Sequence, residues 1–123
     1  LNFSMKNALI QQAKPYYDHF MIAAIEDETL EKTMMAQVSQ ALLLIKGCIA
    51  SFTIAKVKNN SNAVAVSARS DGSYNVQKIM EKLNGGGHFS AAAVERADVS
   101  VQQMKDMILK CIEEEQNNES NIA

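Results

Sequence analysis

A chain of 123 residues and 13.5 kDa makes one domain, and size scaling buries about two-thirds of its unfolded surface without staples. Hydrophobic residues at 47% and charged residues at 21% exclude a disordered, collagenous or coiled-coil chain. Twelve basic side chains against fourteen acidic ones give a net charge of -2, so there is no global basic field to hold long nucleic acid.

Cys48 and Cys111 fit neither a disulfide framework nor a metal spacing, and they read as free thiols in a reducing compartment, a cytoplasmic one. The longest apolar run, Ala41 to Ile45, is far short of the ~20 residues that cross a bilayer. Because the chain starts with Leu1, it is expected to be a fragment of something longer, whose membrane anchor would lie upstream.

In chain order, residues 1–18 read as a linker at the end of an upstream region, with a short helix from Ser4 that Pro15 stops. The domain proper is expected over 19–115. Phe20 to Glu26 is apolar on both faces, as in a buried central strand. A helix is predicted over Glu28–Ile45, with Leu30, Met34, Val38, Ala41, Leu42 and Ile45 on one face and a cap at Asp27 or Thr29. Strands at Ile49–Val57 and Ala63–Arg69 flank the turn-forming 58–62 stretch and should pair as an antiparallel hairpin. Alternation puts Val64, Val66 and Ala68 on one face, and Ala63, Ala65, Ser67 and Arg69 on the other. A compact helix runs over Asn75–Asn84, and Ala91–Ala97 is a weak strand of small residues. Ser100 and Gln103 form a capping box for a last helix ending near Glu115, before a polar tail, 116–123, expected to be disordered. The fold class is therefore α/β (α+β): a mixed β-sheet with packed helices, in the order β-α-β-β-α-β-α.

Gly85-Gly86-Gly87-His88 holds three of the five glycines. Consecutive residues without a Cβ allow the backbone close to a ligand, and their N–H groups can cradle an anion beside the His88 donor. The plainer reading is a flexible helix end followed by an exposed histidine. Arg69, one of only two arginines, ends a strand face of small residues, and its guanidinium can grip phosphate oxygens bidentately. Ser67 and Ser70 are neighbours able to share the anion. The plainer reading of Arg69 is an ion pair with Asp71. No cluster of carboxylates and histidines has the spacing of a metal site.

Ser67-Ala68-Arg69-Ser70, a helix of about fifteen residues, then Gly85-Gly86-Gly87-His88 and Ala91-Ala92 together resemble the DHH-associated C-terminal domain of DHH-family phosphoesterases. The resemblance spans roughly residues 20–115, and Ala36-Gln37 through Gly47 with Ala50-Ser51-Phe52 is most similar to the GdpP-type cyclic-di-AMP phosphodiesterases. Ala93 stands where the family often has Gly, as does Asn84. The resemblance implies a substrate-binding half of a phosphodiesterase. An upstream DHH domain would hold two manganese ions and hydrolyse a cyclic dinucleotide or short oligonucleotide. Arg69, Gly85, Gly86, Gly87 and His88 would bind phosphate, with Ser67 and Ser70 as lesser contacts. This fragment would have no cofactor and no catalytic residue of its own, and by itself would be inactive. The whole protein would be membrane-anchored through upstream segments. Two alternatives stay open: an oligoribonuclease or phosphoadenosine phosphatase domain, and a non-catalytic nucleic-acid-binding module. A homodimer through a sheet edge or helix face also stays open, since no residue pattern fixes it.

Overall fold

The structure, a computed structural model, describes residues 2–122, with side chains over 4–118. Leu1 and Ala123, the outer ends of the expected linker and tail, lie outside the described residues. The elements are α1 (Asn2–Gln11), β1 (Lys14–Tyr16), β2 (Phe20–Leu30), α2 (Lys32–Leu42), β3 (Ala50–Val57), β4 (Asn60–Ser70), α3 (Val76–Lys82), β5 (Gly86–His88), β6 (Ala91–Arg96) and α4 (Val101–Ile122). The strands form a single mixed sheet in the order β1-β2-β3-β4-β6-β5, in which β2 and β3 run parallel and the other neighbours antiparallel.

Helices cover both faces, as the two-sided apolar pattern of β2 requires. Phe20 and Ile22 enter one core with Phe52, Ile54, Val64, Val66 and Ala68, beneath α3 and α4. Ala23 and Ile25 face the other way, into a second core with Ala55, Ala63 and Ala65 beneath α2 and Leu9 of α1. Burying each large aliphatic or aromatic side chain of these cores contributes about 1.5–3 kcal/mol. The expected antiparallel hairpin is present, but its turn is tighter, at Lys58-Asn59, with Asn59 at a φ of 72°. The capping box also forms: Ser100 Oγ accepts from the Gln103 N–H at 3.0 Å, and Gln103 Oε1 accepts from the Ser100 N–H at 2.8 Å.

Several boundaries differ from the sequence reading. β2 runs on through Glu26–Thr29 to Leu30, with an irregularity between Ile25 and Thr29, so α2 starts only at Lys32. Glu28, expected to open the helix, instead lies in this irregular stretch, and Glu31 precedes α2 without a side-chain cap. Residues 1–18 do not stand apart as a linker. Leu9 is fully buried against the second core, and β1 pairs with β2. α4 does not stop near Glu115, because neither Gly nor Pro interrupts the polar stretch beyond it; the helix continues to Ile122. A short extra strand, β5, occupies Gly86–His88 where the sequence suggests a loop.

Candidate functional site

Strand β4 carries Ser67 and Arg69 on the face opposite Val64, Val66 and Ala68, beyond the buried Ala63 and Ala65, and the pairing of β4, β6 and β5 extends that face sideways. Arg69 lies beside Ala91, which lies beside His88; Ser67 lies beside Ala93, which lies beside Gly86; Ala65 lies beside Glu95. The alanine alternation of β6 thus builds a low floor. Lys32, Met35 and Ala36 of α2 stand along one side of it. The result is an open cavity of about 490 Å³, lined in part by Ser67, Arg69, Gly85, Gly86 and Gly87, within the size range of small-molecule sites.

The three glycines have different reasons to be glycine. A Cβ on Gly85 would lie 2.2 Å from the Ala93 carbonyl oxygen, and one on Gly87, where φ is 144°, would lie 2.6 Å from Ala92 Cα. Both positions let β5 press against β6. A Cβ on Gly86 would meet no atom within 4 Å, so its absence leaves open space in the cavity. The expected row of free amides is thereby altered. The Gly85 N–H donates to the Met80 carbonyl at 2.8 Å, Gly86–His88 pair with β6, and no helical turn starts at His88.

Arg69 Nη1 donates to the Ala68 carbonyl at 2.9 Å and to Ser67 Oγ at 3.3 Å. Among the described residues Arg69 makes no ion pair. Burial pulls its guanidinium below the ordinary value, as happens to a cation taken from water without a counter-ion. Asp71, the alternative partner, is occupied elsewhere. It accepts from the N–H and hydroxyl of Ser73 at 2.9 and 2.6 Å, and these bonds hold its carboxyl below the usual range. Arg96 contrasts with Arg69: it faces the α3 side, paired with Asp98 at 2.7 Å and donating to the Leu83 carbonyl.

The remaining candidates are placed differently. His88 is exposed and does not line the cavity, although register sets it on the same face as Arg69. Ser70 is buried away from the cavity. Its N–H donates to the Ser90 carbonyl at 2.9 Å and its hydroxyl accepts from the Gly72 N–H, so it closes a turn.

Two further groups escape a sequence reading. Lys32 and Glu95 form an ion pair across the cavity. Glu95 was within reach as the third member of the Ala91-Ala93-Glu95 alternation, whereas Lys32 had no local signal. Behind Ser67, the Ser39 hydroxyl donates to the Ser67 carbonyl at 2.7 Å and sits 2.7 Å from Thr53 Oγ1, while Ser51 donates to the Ser39 carbonyl at 2.6 Å. This buried chain ties α2 to β3 and β4 directly under the cavity. Among the described residues no group of three or more His, Cys, Asp and Glu side chains could hold a metal ion, so these residues do not fit a manganese site. No helix among them is long and apolar enough to cross a membrane.

The sequence pattern of the DHHA1 domain, the DHH-associated domain named above, matches residues 18–117. The chain belongs to the DHHA1 family. This DHHA1 domain is 36% identical over 112 residues to the cyclic-di-AMP phosphodiesterase PdeA of Listeria monocytogenes, covering 90% of the chain and 17% of that protein. It is 40% identical over 87 residues to the cyclic-di-AMP phosphodiesterase GdpP of Geobacillus thermodenitrificans, covering 71% of the chain and 13% of that protein. The domain therefore spans less than a fifth of the length of these relatives. In fold it is similar to an exopolyphosphatase-related protein from Bacteroides fragilis, with a TM-score of 0.71 at 17% identity, covering 92% of the chain and 34% of that protein.

Proposed function

We propose that this DHHA1 domain is the substrate-gripping part of a phosphodiesterase that acts on cyclic-di-AMP or a related dinucleotide. One observation carries the reading. A half-buried guanidinium without a carboxylate partner among the described residues faces a cavity whose floor is glycine and alanine. Such a cation lacks only an anion, and a phosphodiester supplies one with two non-bridging oxygens. Arg69 takes those oxygens, Ser67 offers a hydroxyl beside it, and His88 offers a second donor from the far side of Ala91.

In this proposal Arg69 neutralises charge that grows on the phosphorus oxygens in the transition state, and the partial burial of its guanidinium strengthens that interaction. Hydrolysis would belong to an upstream DHH domain of the full-length protein, where two manganese ions would supply Lewis acidity and an activated nucleophile. The identity to cyclic-di-AMP phosphodiesterases supports the substrate class. The two free thiols support a reducing, cytoplasmic side for the domain.

The test is hydrolysis by the full-length protein, with manganese, of cyclic-di-AMP, linear dinucleotides and long single-stranded RNA. Selective turnover of the dinucleotides, lost in Arg69→Ala at unchanged melting temperature, is the expected result. Salt-sensitive binding of long RNA without dinucleotide turnover would replace this reading by a nucleic-acid-binding module.

A further inference from the structure

The cavity has a second polar end, which phosphate binding does not use. Glu95 stands on β6 two rows from Arg69, and Lys32 reaches it from the start of α2. At about 3.3 Å per strand residue, the four positions from Arg69 to Ala65 and its partner Glu95 span ~13 Å. Between the two ends lie the Ser67-Ala93-Gly86 row and the open space above Gly86. Apart from the Ser67 hydroxymethyl group, the floor there carries nothing larger than a methyl group. That shape accepts the plane of a nucleobase, and the distance suits a nucleotide laid from its phosphate to the far edge of its base.

We propose that the Lys32–Glu95 pair reads the edge of an amino-bearing purine whose phosphate is held at Arg69. This inference rests on the phosphodiesterase reading above. The chemistry is complementary. A carboxylate accepts from N–H groups and an ammonium donates to a ring nitrogen or carbonyl oxygen, and they stand side by side. Adenine offers an amine beside an acceptor nitrogen, and guanine offers N–H groups beside a carbonyl oxygen. The pair is also available. Its Lys32 and Glu95 side chains are 63% and 34% exposed, and ion pairs so exposed hold together weakly, so a ligand can part them at small cost. A site that holds polar groups for a base edge rejects a base that leaves them unmatched.

The test compares full-length wild type, Glu95→Gln, Lys32→Met and Arg69→Ala on two manganese-dependent assays: cyclic-di-AMP or pGpG, which carry bases, and bis(p-nitrophenyl) phosphate, which carries none. The proposal expects Glu95→Gln and Lys32→Met to raise KM for a purine dinucleotide at least tenfold more than for the base-free diester, with kcat much less affected. The cyclic-di-AMP and pGpG arms show whether adenine or guanine is the purine read. Equal effects of Glu95→Gln on both assays, or none on either, would overturn the proposal. If Arg69→Ala is costly while Glu95→Gln is silent, base reading fails and the phosphodiesterase reading survives. If Arg69→Ala is silent on every substrate, both fail together. Melting temperatures of all variants within a few degrees of wild type exclude unfolding as the cause.

Discussion

Arg69 and His88 stand in one row of the sheet, two strands apart, with Ala91 between them. Strand spacing puts their Cα atoms ~10 Å from one another, so two long side chains can meet over the methyl group of Ala91. Any larger residue at 91 would fill the place where they converge. The row joins the central part of the sheet to its edge: β4 is paired on both sides, while β5 is the outermost strand. Arg69 is thus held by a rigid element and His88 by a mobile class of element, a short edge hairpin.

This arrangement sets an order of effects for substitution. Arg69→Lys keeps the charge and loses the fork, and hydrogen bonds to charged groups contribute about 1.5–3 kcal/mol. If the full-length protein is the phosphodiesterase proposed above, its kcat/KM is expected to fall by roughly ten- to a hundredfold, with Arg69→Ala lower still. His88→Ala should cost less than Arg69→Ala. Because both would grip one anion, the double variant should lose less than the product of the single losses. Steady-state kinetics on the four proteins checks this, and strictly multiplicative losses would separate the two residues.

The glycines offer a second test, on stability. Gly85→Ala and Gly87→Ala each drive a Cβ into β6, at 2.2 and 2.6 Å from backbone atoms, and Gly87 also has a φ of 144°. Overpacking of this kind costs about 1–3 kcal/mol, and more where backbone must shift. Gly86→Ala meets nothing within 4 Å and should leave the urea midpoint of this chain nearly unchanged. In the full-length protein that same methyl group would occupy cavity space and raise KM. A stable, active Gly85→Ala would show that the hairpin has more room than its geometry implies.

Much of this site was legible in the sequence, and the limits have physical reasons. Alternation in β4 separates Val64, Val66 and Ala68 from Ala65, Ser67 and Arg69, because strand side chains must alternate. The place of β6 between β4 and β5 is a non-local pairing, and no local pattern encodes it. β5 is hidden because Gly-Gly-His has little strand preference by itself; it is a strand because β6 offers an edge and glycines can approach it. Glu28 and Glu31 look like the first turn of a helix, since acidic residues favour that position, yet β2 runs on to Leu30 and pairs there with β3. Lys32 and Glu95 meet only through tertiary structure.

Ser39 is predicted to be a support of the cavity. It is fully buried, and its hydroxyl links the Ser67 carbonyl to Thr53. Ser39→Ala leaves that carbonyl and the Thr53 hydroxyl short of a partner in a dry site, at an expected cost of about 1–3 kcal/mol. Urea denaturation of the two proteins measures it. Because the lost bond lies on the strand that presents Arg69, nucleotide binding should weaken as well, in a variant that still folds. A Ser39→Ala protein with an unchanged urea midpoint would mean that the hydroxyl chain adds nothing to the fold.

The pH dependence of stability should carry a signature of Glu115. This residue of α4 reaches Lys78 at 3.0 Å and Lys82 at 2.8 Å, both on α3. The hydrogen bond from Lys82, with help from Lys78, holds its carboxyl below the ordinary value of 4.5 against a smaller opposing effect of burial. A carboxyl whose folded value is depressed binds its proton more readily in the unfolded chain. Its stabilising contribution is therefore complete above the unfolded value and is lost as pH falls through the folded one. Glu115→Gln should remove that contribution at pH 7, lowering the melting temperature there. Further into acid, below the ordinary carboxylate range, the wild-type carboxyl also takes up its proton, and the two proteins should converge. Thermal melts from pH 7 to pH 2.5 test the sign directly: a difference that grows toward acid would contradict this account of how α4 is fastened to α3.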